Sequence, residues 1–463
     1  MRRLLVSIPL FLLPLLASAQ GGGGFGSFLR RSSEGAAAYR ASRSRERDSF
    51  LSRSWERCPI REGVRDPFSP DGGSAPPAGP GTPDGGRLPD PEDLTGPVPP
   101  APEPPDDADG GLRFRFYGRS FRVPYDRKDD FRLHGTSNSD IADMWELLSA
   151  GGPGRLADAC RRIRESEGLG DWAYLQLVDS LSAAVYPASC NERQMLAGFL
   201  LGSTGFRIRF GRSEGRLSCV FCTEQVIYAR PYFLKDGAYY YPLTGGGEAW
   251  SLSEPSPGRP LDLRLSAAPR TYGRESFSKH IDAAGVEFDY SIPRTLLDFY
   301  ACYPHTLMHV KADAPVSEAL RQSAYPALRS ALKGKGEVEA VNLLLRFVQD
   351  LMTYRTDDRA WGYEKWNFPE ESFLYGFGDC DDHAILFCRL VRDLLGLDML
   401  LVECKVDGGP HAATAVRFTE PVQGDVILHE GQRYYCCEPT ANVARAGRCL
   451  WDSYVVTRLD KVR

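Results

Sequence analysis

Cys380 is the residue of this sequence whose surroundings best suit nucleophilic chemistry. It follows the glycine-containing turn YGFGD and precedes DDHAILFCRLVRDLLG, whose apolar spacing predicts a helix that ends at Gly396. The start of a helix presents unpaired N–H groups and a partial positive charge, and both favour a thiolate. Asp381 and Asp382 fall in the first turn, where carboxylates are favourable, so we expect them to cap the helix and pair with neighbours. Cys380 is therefore predicted to hold a reactive thiol.

A thiol nucleophile needs a base, and His411 is the candidate. It stands in GGPHAATAVRF, at the mouth of an alternating strand pattern that can lie beside the start of the helix. The base in turn needs an acid that orients its ring. Glu438 in YYCCEPT, on a later strand, suits that role, with Asp425 as the second choice. The sequence thus predicts a triad of Cys380, His411 and Glu438.

The elements expected to position this triad make an α+β domain. EVEAVNLLLRFVQDLMTYR predicts an amphipathic helix upstream of Cys380. Four strand patterns follow the Cys380 helix: MLLVECKV, HAATAVRF, DVILHE and RYYCCEP. We assign this domain to residues 331–463, preceded by a connecting segment at residues 271–330.

An earlier part of the chain repeats this order of elements. SCNERQMLAGFLLGSTGFRIRF contains Cys190 and matches the run from Asp379 in its cysteine, apolar helix, glycine break and strand. Further on, DGAYYYPLT matches EGQRYYCCEPT. Residues 112–270 are therefore predicted to form another α+β domain, a degenerate copy with no histidine or acid at the echoing positions. Chance similarity between two helix–strand units is the alternative.

The N-terminus predicts export. MRRLLVSIPLFLLPLLASAQ has a basic start, an apolar run and small residues, which indicate a signal peptide at residues 1–19, with an uncleaved anchor as the alternative. Residues 20–111 are polar and then rich in Pro, Gly and Asp, so we expect a disordered region, with folded structure beginning near Leu112. No later segment is apolar for long enough to span a membrane, so the mature protein is expected in the periplasm, at the cell surface or secreted.

Charge and cysteine content limit the partners and cofactors. The net charge is −5 and no long basic run occurs, so nothing favours binding to nucleic acid. The twelve cysteines show no disulfide framework, and the two closely spaced pairs, Cys219 with Cys222 and Cys436 with Cys437, do not make a zinc motif. Most of the cysteines stand among apolar residues, where buried thiols are expected. No metal or other cofactor is predicted.

The segments around the triad resemble the transglutaminase-like superfamily, whose fold is related to that of papain-like thiol proteases. The resemblance lies in GFGDCDDHAILFCRLVRDLLG, GPHAATAV and YYCCEPT and covers about residues 335–445. It implies Cys380 as nucleophile, His411 as general base and Glu438 as the orienting acid, where the family usually has Asp. It also implies an upstream oxyanion donor, for which Trp366 is the first candidate and Asn367 the second, beside the backbone N–H of Cys380.

The expected function is that of an exported thiol enzyme. The acyl group of a peptide or protein amide at the cell envelope would pass to Cys380, with hydrolysis expected more than cross-linking, and with Asp379 and Asp381 as supporting residues. A non-catalytic binding or assembly module of the cell envelope, with a partly decayed triad, is the alternative. A metal site formed by Cys380, His383 and His411 is a third hypothesis.

Overall fold

The computed structural model describes residues 55–69, 111–127, 130–150, 152–188, 190–245, 249–273, 275–407, 409–450 and 453–463. The predicted signal peptide, residues 1–19, and most of the region 20–111 lie outside the described residues. The fold mixes helices and strands, as the α+β prediction requires.

The first half of the described chain joins a short hairpin, a group of helices and a sheet. Its elements in chain order are β1 (Glu56–Pro59), β2 (Leu112–Phe116), β3 (Arg119–Val123), α1 (Asn138–Ala150), α2 (Gly152–Glu167), α3 (Asp171–Val185), α4 (Asn191–Ser203), β4 (Ile208–Ser213), β5 (Arg216–Thr223), β6 (Phe233–Lys235), β7 (Ala238–Pro242) and β8 (Ala249–Leu252). β2 and β3 pair around Gly118, as the alternation in LRFRFYGRSFRV predicts. The sheet is antiparallel throughout, in the order β1-β8-β4-β5-β7-β6.

The segment between the two predicted domains is folded. It contains β9 (Ser276–Ala283), β10 (Val286–Pro293), α5 (Arg294–Ala301), α6 (Met308–Ala312) and α7 (Glu318–Leu332). β9 and β10 pair with each other, and α7 packs against β10.

The last part of the chain forms a helix layer against a second sheet. Its elements are α8 (Glu337–Leu351), β11 (Thr353–Tyr354), α9 (Asp357–Ala360), α10 (Pro369–Tyr375), β12 (Phe377–Gly378), α11 (Cys380–Leu395), β13 (Asp398–Val406), β14 (Gly409–Arg417), β15 (Val426–His429), β16 (Gln432–Cys437) and β17 (Tyr454–Val462). The main sheet is again antiparallel, in the order β15-β16-β14-β13-β17. β11 and β12 pair in parallel beside the start of α11.

The two large sheets have the same connectivity. The first sheet, without β1, has the order β8-β4-β5-β7-β6, and the second has β17-β13-β14-β16-β15. In both, the last strand in sequence lies at one edge, next to the first, and the third strand lies at the opposite edge. A helix precedes each set, α4 before β4 and α11 before β13, and an earlier helix packs on it, α3 on α4 and α8 on α11.

The helix that holds Cys380 is fixed by burial and by its C-terminal cap. Its apolar residues from Ala384 to Val391 are completely buried, among them Ile385, Leu386 and Leu390, because one face packs on α8 and the other on β13 and β14. Gly396 ends the helix in the left-handed conformation, with φ of 68°, and its N–H donates to the carbonyl of Arg392. The helix start is therefore held in a fixed position relative to β14.

The prediction that folded structure begins near Leu112 is wrong for residues 55–69. β1 pairs with β8 at the edge of the first sheet, and Asp66, 5 % exposed, is buried against later parts of the chain. Only four residues form this strand, and long-range pairing rather than local pattern orders it. Across the part of the chain that the structure describes, none of the helices combines the length and apolar character needed to span a membrane.

Candidate active site

Cys380 is the first residue of α11, and Asp379 is the residue that caps it. The side chain is almost enclosed, with 6 % of its surface exposed. The backbone N–H of Ala412, on β14, lies near enough to the sulfur to lower the pKa of Cys380. The residue that follows His411 is therefore brought to the neighbourhood of Cys380, although the two are far apart in the sequence.

His411 and Glu438 form the other half of the predicted triad. His411 lies near the start of β14, opposite Cys404 of β13. Glu438 directly follows β16, the next strand of the sheet, where Cys437 pairs with Thr414. The Nε2 atom of His411 lies 3.0 Å from Oε2 of Glu438, within hydrogen-bond distance. With 2 % of its surface exposed, Glu438 meets the ring in a site largely shielded from water.

The carboxylate of Glu438 is fixed by its own loop and by α8. Both the backbone N–H of Thr440, at 2.9 Å, and its hydroxyl donate to Oε1. The side chain of Gln349 donates to the carbonyls of Glu438 and Ala441, at 3.2 and 2.6 Å. One carboxylate oxygen is thus held by the loop while the other faces His411, so the extra methylene relative to Asp is accommodated.

The thiol of Cys380 does not have the acidity that its place at a helix start predicts. Burial, and next the charge of Asp379, raise the pKa of Cys380 well above its usual value, and Glu438 and Glu364 act in the same direction. The N–H of Ala412 lowers the pKa, but by less than burial and Asp379 each raise it. The resting thiol is therefore neutral, because desolvation outweighs the partial charge of the helix end.

Of the acids that flank Cys380, Asp381 and Asp382 are completely buried and Asp379 is partly buried. Asp382 is fully paired: its Oδ1 accepts from the backbone N–H of Asn367 at 2.6 Å, and its Oδ2 from the side-chain amide at 2.9 Å. Asp381 is completely buried, and neither of its carboxylate oxygens has a hydrogen-bond partner in the described part of the chain. One carboxylate oxygen of Asp379 likewise has no hydrogen-bond partner in the described part of the chain. Burial raises the pKa of all three carboxyls. Pairing, as expected from the sequence, therefore holds for Asp382 and not for Asp381.

Two further acids, Asp357 and Glu364, lie beside this group. Asp357, Glu364 and Asp379 each contribute one carboxylate oxygen, and these three oxygens lie within 4.8 Å of one another. The sulfur of Cys380 and one oxygen each of Asp379 and Asp381 form a second group of the same size. Burial and the charges of neighbouring acids raise the pKa of Asp357 to about 10 and that of Glu364 to about 8. Three clustered oxygen ligands could hold a hard divalent cation, which would relieve their mutual repulsion.

Trp366 lies next to the acids, and its indole N–H donates to Oε1 of Glu364 at 3.1 Å. The ring is 1 % exposed and meets Phe68, Tyr228 and His305. The indole N–H is therefore already engaged in a hydrogen bond within the protein. Its role as an oxyanion donor stays a prediction that would need the N–H to change partner.

The third hypothesis, a metal held by Cys380, His383 and His411, has little support from the geometry. Both ring nitrogens of His383 face backbone carbonyls, Nδ1 at 2.6 Å from Asp379 and Nε2 at 3.3 Å from Met352. Burial lowers the pKa of His383, which favours the neutral ring in this position. The neutral ring has one N–H and can donate to only one of these carbonyls, so it lies packed between the start of α11 and the end of α8.

Asp425, the second choice for the orienting acid, serves another purpose. Its Oδ2 accepts from the backbone N–H of Cys449 at 2.8 Å, and its carbonyl accepts from that of Cys436 at 3.0 Å. These bonds anchor the chain after Glu438. Of the two candidate acids, Glu438 is the one that meets His411.

Four residues of the site escaped sequence reasoning: Asp357, Glu364, Gln349 and Thr440. Asp357 and Glu364 stand in polar stretches, and only the tertiary fold buries them. Thr440 could have been found, because a hydroxyl residue two positions after an acid commonly bonds back to it.

Comparison of the chain with models of protein families found no match, and comparison with curated proteins found none either. The resemblance to the transglutaminase-like superfamily therefore rests on the motifs around Cys380, His411 and Glu438.

Proposed function

We propose that this protein is an exported thiol enzyme of the transglutaminase-like type, which transfers the acyl group of a peptide or protein amide and more often hydrolyses it than cross-links it. One observation supports this most directly. His411 lies 3.0 Å from Glu438, and the adjacent Ala412 is near enough to Cys380 for its backbone N–H to lower the pKa of the thiol. A thiol, an imidazole and a buried carboxylate from three separate elements are the parts that acyl transfer by cysteine needs.

The proposed reaction begins with a neutral thiol. Because Nε2 of His411 is engaged with Glu438, Nδ1 is the atom that takes the proton as the sulfur attacks the amide carbonyl. The imidazolium formed is stabilised by Glu438 and then gives its proton to the leaving amine. The thioester that remains is resolved by water, which yields the carboxylic acid and restores the thiol, or by an amine, which yields a new amide.

The electrostatics favour general-base catalysis over a preformed ion pair. Burial and the surrounding acids raise the pKa of Cys380, so the thiolate exists only as the proton moves to His411. The oxyanion formed on the substrate would be met by the backbone N–H of Cys380 at the unpaired start of α11. The acids around the thiol suit a substrate that brings positive charge near the scissile bond.

We infer that the first sheet belongs to a decayed copy of the same unit. Positions in the two sheets can be matched by counting along the second strand of each hairpin from the residue pair nearest the turn. On that count Ser218 of β5 corresponds to His411 of β14, and Thr244, after β7, corresponds to Glu438, after β16. The two hydroxyls lie 3.1 Å apart, so a hydrogen bond joins the same two positions in both units.

The place of the thiol is also changed in the first unit. Cys190 directly precedes α4, as Asp379 precedes α11. The N–H of Cys219, which corresponds to that of Ala412, is bonded at 3.0 Å to the side chain of Gln194. In the first unit, a glutamine side chain thus accepts a hydrogen bond from the backbone N–H whose counterpart in the second unit lies near the thiol. We therefore assign acyl transfer to the second unit alone.

A thiol-directed probe provides the test. The protein is treated at neutral pH with a chloroacetamide attached to a short peptide, and the modified residue is mapped by mass spectrometry. We expect Cys380 to be modified first and Cys380→Ala to abolish the fast phase, while Cys388→Ala, which removes a buried thiol of the same helix, leaves it unchanged. Equal slow modification of both cysteines would overturn the proposal.

A non-catalytic binding module is the second candidate, and the burial of a neutral Cys380 is the observation that favours it. If this candidate is correct, Cys380→Ser folds normally, and the probe modifies Cys380 and Cys388 of the original protein equally slowly. The same experiment therefore decides between the two functions.

A further inference from the structure

Two adjacent cysteines near the end of β16 face opposite sides of the second sheet. Cys437 belongs to the main core beneath α11. Cys436 belongs to a small apolar cluster on the other face, together with Leu400 and Cys404 of β13. Cys449 packs against this same outer cluster, although it lies beyond the loop that contains Glu438.

The backbone around Cys436 and Cys449 is tied together by Asp425. The N–H of Cys436 donates to the carbonyl of Asp425 at 3.0 Å, and the N–H of Cys449 donates to its carboxylate at 2.8 Å. Gly447 completes the arrangement, since its N–H donates to the carbonyl of Cys436 at 2.8 Å and its carbonyl accepts from the N–H of Asp425 at 2.9 Å. The two cysteines are thus held near each other by hydrogen bonds through Asp425 and Gly447.

The two cysteines are neighbours. Both thiols are free, Cys449 packs against the apolar cluster that contains Cys436, and each thiol acts on the pKa of the other. This interaction lowers the pKa of Cys449, whereas the interaction and burial raise the pKa of Cys436. Cys436 is almost fully buried, while Cys449 is partly exposed, so Cys449 is the one that a reagent in solution meets first.

We propose that Cys436 and Cys449 form a disulfide, which closes the loop of residues 437–448 that holds Glu438 against His411. The loop is anchored at its start by the bonds of Glu438 to Thr440 and Gln349. At its end, the neighbouring thiols of Cys436 and Cys449 are the part that oxidation would join covalently. A disulfide here would limit the motion of the acid loop without crossing the space around Cys380.

The oxidant in this reaction is a small-molecule disulfide or the disulfide of a thiol oxidoreductase. The Cys449 thiolate attacks one sulfur of that disulfide, and the other sulfur leaves as a thiolate that takes a proton. Cys436 then loses its proton and attacks the Cys449 sulfur, which releases the second thiol. Protein dithiol and oxidant disulfide thus become protein disulfide and two oxidant thiols.

Mass spectrometry tests the bond. The full chain is equilibrated with oxidised glutathione, alkylated at low pH and digested with trypsin, which cleaves after Arg433, Arg445, Arg448 and Arg458. Cys449 is then on a different peptide from Cys436, so the disulfide appears as peptide 434–445 linked to peptide 449–458. We expect this linked species, with two fewer alkylated thiols than in the reduced protein, and a rise in unfolding temperature of roughly 5 °C.

Variants identify the partners and keep the test decisive. Cys436→Ser and Cys449→Ser should both remove the linked species and the rise in unfolding temperature, whereas Cys437→Ser, the matched control on the same peptide, should keep both. Persistence of free Cys436 and Cys449 under oxidation would overturn the proposal. A link from Cys449 to Cys404 or to Cys437 would overturn it equally.

Discussion

At the scale of single residues, the proposed chemistry depends on one proton moving between Cys380 and His411. Burial and the charge of Asp379 raise the pKa of Cys380 well above its usual value, so the thiolate is scarce unless a base accepts the proton. The contact between Nε2 of His411 and Glu438 fixes one side of the ring, and the proposed proton exchange is assigned to Nδ1. The histidine should therefore matter more for reactivity than for folding.

The first prediction concerns His411→Asn. We expect the rate of Cys380 alkylation at pH 7 to fall by roughly 100-fold, because the buried thiol must then ionise alone. A thiol with a raised pKa is protonated below that pKa, so the rate in the variant should keep rising with pH and show no plateau below about pH 9. The measurement is the second-order rate of labelling between pH 6 and 10.

His429→Asn serves as the control for this substitution, because His429 lies on β15 of the same sheet and is remote in the strand order from α11. Its rate should match that of the unsubstituted protein across the pH range. An unchanged pH profile in His411→Asn would show that the imidazole does not serve the thiol.

The second prediction concerns Asp357, whose pKa is raised to about 10 by burial and then by neighbouring acids. An unfolded Asp ionises near pH 4, so the folded state holds the proton more tightly. The resulting penalty is absent below about pH 4 and grows as pH rises toward the folded value. Asp357→Asn should therefore raise the free energy of unfolding at pH 8 by about 1–2 kcal/mol, and by much less at pH 5.

Thermal unfolding at the two pH values, with a chelator present, measures this effect. Asp358→Asn is the matched control, since Asp358 is exposed in the same short helix and should change stability little at either pH. Loss of stability in Asp357→Asn at pH 8 would mean that the charge of Asp357 is used, for example by a bound cation.

The site was only partly predictable from the sequence, and the physical reason differs from residue to residue. Cys380, His411 and Glu438 each stand in a local pattern that marks a helix start or a strand end, and these elements are present at those places. The acidity of Cys380 was predicted from the helix end alone. Desolvation, a property of the whole fold, raises the pKa instead.

At the scale of elements, the turn from β12 into α11 places the thiol. Gly378 is packed so closely that an added Cβ would lie 2.3 Å from Oδ2 and 2.6 Å from Cβ of Asp382. Asp382 cannot easily give way, since it accepts two hydrogen bonds from Asn367 in a fully buried position. The close approach of the turn to α11 therefore depends on glycine.

The third prediction follows from this contact. Gly378→Ala should reduce the free energy of unfolding by about 2 kcal/mol or more, because overpacking is added to the loss of a buried hydrogen bond. It should also slow the labelling of Cys380, which lies two positions further on. Chemical denaturation measures the first effect and probe labelling the second.

Gly409→Ala is the matched control, since an added Cβ there would meet only the carbonyl oxygen of Val406, at 3.7 Å. Its stability should stay within about 0.5 kcal/mol of the original. Equal stability of both variants would show that the turn has room for a side chain.

The repeated order of helix and strands could be predicted from the sequence, whereas β1 could not. The helix, glycine break and strands after Cys190 and after Cys380 have local patterns, and the two sheets have one connectivity. β1 is a four-residue strand that ends in Pro59 and follows no alternation. It is ordered by pairing with β8, a partner far along the chain, which local patterns cannot predict.

At the scale of the whole molecule, the segment 55–69 connects the two halves. Its start adds β1 to the first sheet. Further on, Asp66 bonds to Nε2 of His305, and Phe68 meets the ring of Trp366 edge-on at 6.0 Å. Trp366 in turn donates to Glu364, one of the acids near Cys380. A segment expected to be disordered thus packs against residues next to the candidate active site.

The fourth prediction tests this connection by Asp66→Ala. Asp66 and His305 are 4 % and 5 % exposed, so removal of the carboxylate leaves a buried ring nitrogen without its acceptor, which costs about 2–3 kcal/mol of unfolding free energy. The segment should also be released, so trypsin should cleave after Arg61 and Arg65 faster than in the original protein. Glu62→Ala, which changes an exposed acid of the same segment, should alter neither stability nor cleavage. If Asp66→Ala is cleaved no faster than this control, the bond to His305 does not hold the segment, and its place beside Trp366 must depend on the packing of Phe68 instead.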